Sequence, residues 1–147
     1  MKRPDNVTLI AGIIGIVLVA TALTDASVAA AQPSDIGKAA AEPIMKQLDA
    51  FRRDDYDAAY VFASTEIKQM FDRQAFERMV KGGYPEIARS TSAVVSRTEM
   101  GPDGDVYVQL RIRGANGGGI EALYQMVPER DGWRINSVIT RPDSGAI

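Results

Sequence analysis

The 147-residue chain has no cysteine and no histidine. Without cysteine there is no disulfide to hold it and no thiolate nucleophile, and the lipoprotein route, which needs a cysteine after the signal, is closed. Without either residue the common catalytic triads, zinc sites and haem ligation by histidine are excluded. Acid–base chemistry would fall to carboxylates, lysines or tyrosines. Charge of one sign is lacking too: 17 basic residues stand against 19 acidic ones, for a net charge of -2. No basic run occurs, which argues against a nucleic-acid partner. No Walker loop, dinucleotide fingerprint or calcium loop is present, and Asp103-Gly104-Asp105 is better read as a turn. No cofactor and no metal are therefore expected.

One long apolar run is there. Residues 7–23, VTLIAGIIGIVLVATAL, carry no charge and follow Lys2 and Arg3; small residues from Ala26 to Ala31 precede Gln32-Pro33. A basic start, an apolar stretch and a small-residue site spell a secretory signal, with cleavage after Ala31. The competing reading is an uncleaved anchor, because the run reaches the ~17 to 25 residues that span a bilayer. Either way the basic start stays inside, and residues 32–147 are expected as a single exported, periplasmic domain. That domain keeps the charge of -2, since Lys2 and Arg3 leave with Asp5 and Asp25.

Its first half has helical period. Ile36, Ala40, Ile44, Leu48 and Phe51 recur at three- or four-residue steps behind Ser34 or Asp35 as N-cap, with Pro43 either starting the helix or kinking it. Asp54-Asp55 caps a second helix, Tyr56 to Phe62. Ser64 opens a third, and Asp72 restarts it through Phe76, Met79 and Val80. Gly82 then suits a left-handed C-terminal cap, Gly83 a reversal, and Pro85 an extended exit.

The second half has period two. Val106, Val108, Leu110 and Ile112 alternate with Tyr107, Gln109, Arg111 and Arg113. Val94–Met100, Ile120–Pro128 and Trp133–Thr140 join this strand across short turns. Gly117-Gly118-Gly119 reads as a hairpin rather than a phosphate loop. Helices first and a hairpin series second predict an α+β fold, with N-terminal helices packed on one face of a four-stranded, twisted antiparallel meander. Arg111 and Arg113 belong on the other face.

Three stretches in order, QLDAFRRDDYDAAYVFAS, FERMVKGGYPEI and ALYQMVPERDGWRINSVI, resemble the bacterial exported family known as domain of unknown function 4864. The resemblance covers about residues 36–140. It implies a cone-like fold similar to the nuclear transport factor 2 and cystatin-like group, and it implies no activity.

Candidate functional residues are few. Asp72, Glu77 and Glu121 are the carboxylates considered as bases, but the first two suit a cap and a solvent-facing helix position, and Glu121 suits an ion pair with Arg111 or Arg113. Tyr84, Tyr124, Tyr107 and Trp133 are the candidates for contacting a ligand or partner, since each joins a large apolar ring to one polar group; Tyr60 is a further possible donor. Tyr84 is expected to pack at the core edge with its hydroxyl bonded to backbone. Trp133 is expected against a helix.

Three functions follow as expectations. The first is a non-catalytic exported module that binds an envelope protein or a small apolar ligand. The second is an accessory subunit anchored by residues 7–23 to a membrane complex. The third is a small enzyme using a carboxylate and a tyrosine, which needs a cavity holding a desolvated acid. A homodimer formed through the sheet is expected by analogy.

Overall fold

The computed structural model describes residues 32–145. Five helices, α1 (Pro33–Arg52), α2 (Tyr56–Val61), α3 (Thr65–Met70), α4 (Arg73–Gly83) and α5 (Pro85–Ala88), precede four strands, β1 (Ser90–Met100), β2 (Val106–Gly114), β3 (Gly119–Glu129) and β4 (Gly132–Pro142). The strands pair antiparallel in the order β1-β2-β3-β4. This is the expected α+β meander. The apolar run 7–23 and the proposed cleavage after Ala31 lie outside the described residues, among which no helix is long and apolar enough to cross a membrane.

Helix α1 starts earlier than its caps suggested. Gln32 is the N-cap, without a side-chain bond, and Pro33 takes the first turn, where its missing N–H costs nothing. The helix runs on past Pro43. That proline leaves the carbonyl of Ala39 without a helical donor, and Ala39 is exposed, so water can satisfy it. At the other end Asp54 adopts φ 56, with Asp55 N–H bonded to Ala50 O at 2.9 Å and Asp54 N–H to Phe51 O at 3.0 Å. The paired bonds form a Schellman ending with aspartate where glycine is usual. Asp55, Ser64 and Asp72 cap α2, α3 and α4 as the sequence led one to expect, each accepting from the N–H three residues on.

The segment around Gly82 differs from expectation. Helix α4 continues through Gly82 and Gly83, neither with positive φ, and Tyr84 (φ -136, ψ 60) is at once its C-cap and the N-cap of α5. Pro85 therefore opens a helix instead of leading an extended exit, because its fixed φ suits a first turn as well as it suits a strand. The extended chain begins at Ser90, four residues before Val94.

Inner-facing Val106, Val108, Leu110 and Ile112 are fully or almost fully buried, as are Ala122, Tyr124 and Met126 on β3. Helix α1 packs over them on β1, β2 and β4 through Ala40, Ile44, Leu48 and Phe51, and α5 packs on β1 and β2. Each such aliphatic side chain contributes roughly 1.5–3 kcal/mol by leaving water. Gly37 is required where α1 meets β1: a Cβ there would lie 2.6 Å from Thr98 Oγ1. Arg111 and Arg113 are exposed on the outer face, as expected.

Candidate ligand cavity

Where α1 and α5 leave the inner sheet face uncovered, α3 and α4 bridge over it and border a half-open cavity of about 310 Å³. Its walls come from every helix but α2. Gln47 and Phe51 of α1, Ile67 and Met70 of α3, Phe76, Met79 and Val80 of α4, Tyr84, and Ile87 of α5 face Tyr124 of β3 and the stretch Ile135–Val138 of β4. Aromatic packing backs the cavity: Phe51 lies against Phe76 with centroids 6.1 Å apart, and Phe76 against Tyr60, behind the lining, at 5.3 Å. Among the described residues, no aspartate, glutamate, lysine or arginine lines it.

The α3 wall is tied to the sheet by polar bonds rather than by burial, for none of its residues is buried. The linker before it pairs with β4: Ile135 N–H donates to Phe62 O at 2.9 Å and Ser64 N–H to Ile135 O at 2.8 Å. Thr65 N–H and its hydroxyl donate to the Glu129 carboxylate at 2.7 and 3.1 Å. The buried Ser64 hydroxyl accepts from Ile67 N–H and donates to Asn136 Oδ1 at 2.7 Å.

Asn136 reaches the cavity because of a register shift. Gln125 pairs with Ser137 while the next residue, Met126, pairs with Ile135, so Asn136 is the extra residue of a β-bulge. A bulge turns a side chain to the face that alternation would deny it. Nothing in the sequence marks that position, which is why it was not among the expected residues. Gln47 was missed for another reason. It shares a helix face with Ile44 and Phe51, and its burial is made tolerable by Nε2 donating to Ala59 O at 3.1 Å.

Of the four aromatic candidates the structure brings two together. Tyr124 is buried, and its hydroxyl has no hydrogen-bond partner among the described residues. Burial, with a smaller contribution from nearby Tyr84, pushes its pKa far above the ordinary tyrosine value, so the hydroxyl is a donor at any physiological pH. Tyr84 is half-buried against the core, as expected, but its hydroxyl makes no backbone bond among the described residues; of the tyrosine hydroxyls only that of Tyr60 does, to Phe71 O at 2.7 Å. The ring lines the cavity instead, because the α4–α5 junction turns it inward. Tyr107 stands on the outer sheet face opposite Gln125, its ring against Gly101. Trp133 packs beside the core opposite Pro128, away from the cavity.

The carboxylates stay out. Asp72 caps α4, and Glu77 is held below the usual carboxylate range by hydrogen bonds from Lys81 and Arg73 on the surface. Glu121 accepts from Arg141 Nε at 2.6 Å on β4 rather than from Arg111, although both arginines stand directly opposite it, one on each side. Among the described residues no cluster suited to a metal occurs.

The helical layer of this α+β domain thus borders an apolar cavity, without charged lining residues among those described, against an antiparallel meander. The family model described as Domain of unknown function (DUF4864) matches residues 21–147, and the chain belongs to that family. No curated protein and no solved structure matches it.

Proposed function

We propose that this is a non-catalytic, exported module that holds a small apolar ligand between its helices and sheet. The observation that carries the reading is the cavity of about 310 Å³ walled by aliphatic, aromatic and methionine side chains. Such a space is at the lower end of known ligand pockets, and burying apolar surface in it would drive binding. Export is supported by Lys2 and Arg3 before the uncharged run 7–23 and the small residues to Ala31. The carboxylate–tyrosine enzyme has less support, because it needs a desolvated acid and no carboxylate lines the cavity.

Recovery of the protein from its own envelope under mild conditions, followed by solvent extraction and mass spectrometry, tests both parts. An apolar molecule in near-equimolar amount and an N-terminus at Gln32 are expected. Protein that carries nothing and does not enhance an apolar fluorescent dye would sink the ligand reading. Retention of residues 7–23 would replace the free module by the anchored accessory subunit.

A second reading has its own observation. Val94, Leu123 and Ile139 are 63%, 39% and 69% exposed, and all three belong to the outer sheet face. Exposed apolar side chains on one face suit an envelope protein or a second copy. Sedimentation of wild type against Ile139→Asp distinguishes these from a monomer.

A further inference from the structure

We infer that the ligand is a small uncharged molecule, apolar except for one oxygen that accepts a hydrogen bond from the Tyr124 hydroxyl. This rests on the ligand reading above and gives it a chemical class.

The size follows from volume. A cavity of about 310 Å³ lies at the lower end of ligand pockets, which suits a medium-chain ketone, alcohol or ester.

The absence of charge follows from the walls. A carboxylate or ammonium head group seated inside these walls would lose its water against side chains that carry no compensating charge, and that loss exceeds what neutral donors return.

The single acceptor follows from which lining groups remain unspent. Gln47 Nε2 gives one of its two N–H groups to Ala59 O, and Asn136 Oδ1 accepts from Ser64. Ser137 turns outward, its hydroxyl donating to Gln125. The Tyr124 hydroxyl is the one of these that is fully buried and without a partner among the described residues, and a neutral phenol donates. Asn136 Nδ2, the second N–H of Gln47 and the Tyr84 hydroxyl are further donors on these walls that make no other bond among the described residues. An acceptor oxygen on the ligand complements such donors.

Four probes of matched length test this by calorimetry on the whole mature protein: decane, 2-decanone, 1-decanol and decanoate. Ketone and alcohol are expected to bind about five- to tenfold more tightly than decane, the gain of one net hydrogen bond. Decanoate is expected to bind least at pH 8 and to gain as pH falls through its own pKa.

Tyr124→Phe keeps the ring and should lower the preference of ketone over decane while leaving decane bound. Tyr56→Phe is the control. It removes the other buried, unpartnered hydroxyl, which lies outside the cavity, and should leave the preference intact. Decanoate bound at pH 8 as tightly as the ketone overturns the inference, and so does an unchanged preference in Tyr124→Phe. In both cases decane binding leaves the ligand reading standing. If none of the four binds, the ligand reading falls and this inference falls with it.

Discussion

At the residue scale the tension lies in groups that burial leaves without company. An unpaired hydroxyl in the core costs about 1–3 kcal/mol, so Tyr124→Phe should stabilise the empty protein by roughly 1 kcal/mol, read as a raised urea midpoint with unchanged slope. The same tyrosine sets an alkaline limit. Its folded pKa is raised, so the folded state keeps a proton that the unfolded chain loses above about pH 10. Stability is therefore full below that value and falls as pH rises beyond it, by up to about 1.4 kcal/mol per pH unit for this one group. Denaturation between pH 8 and 11 should show a shallower fall in Tyr124→Phe; identical curves would refute the assignment. Asp54 is a different case. Its φ of 56 strains any residue with a Cβ, and its pairing with Arg89 is exposed. Asp54→Gly should raise stability by about 1 kcal/mol in thermal melts.

At the scale of elements the α4–α5 junction is the instructive one. Two glycines end a helix without any steric need, since a Cβ at Gly82 or Gly83 would meet nothing within 4 Å. Gly82→Ala should stabilise the protein by roughly 0.5–1 kcal/mol, which a thermal melt detects; a loss would mean that the junction needs a conformation that alanine resists. Glycine followed closely by proline reads as a stop signal, yet here the chain ends one helix and starts another within Tyr84. Both residues are compatible with either outcome. What decides is Ile87 and Ala88, which the short α5 buries against the sheet and an extended exit would not. The β4 bulge makes the same point. The alternation of Trp133 to Thr140 gives a strand, but the extra residue at Asn136 depends on the linker Phe62–Ser64 pairing with Ile135.

At the scale of the whole molecule one core serves helices and sheet together. It draws on α1, α2, α4, α5 and the sheet and runs from Ala40 to Ile135. Residues 32–147 produced without the first 31 should therefore melt in a single transition that is the same by near- and far-ultraviolet dichroism. Two separate transitions would show that helices and sheet are independent units. The cavity belongs to this scale as well, because it lies where four helices and two strands fail to fill the space between them.

The sequence by itself determined the order of helices and strands, the caps at Asp55, Ser64 and Asp72, the pairing partners and the outward-facing arginines. Those are local matters of period and hydrogen-bonding side chains, and three- to four-residue or two-residue spacing records them directly. It also named Tyr84 and Tyr124, though beside Tyr107 and Trp133, because residue type says that a ring can meet a ligand and not where the ring stands. Only the tertiary structure decided that the first two share a cavity, that Asn136 and Gln47 join them, that Glu121 turns to Arg141, and that no carboxylate is present. Which side chains converge across the gap between two layers depends on packing between residues far apart in the chain, and no local pattern encodes that distance.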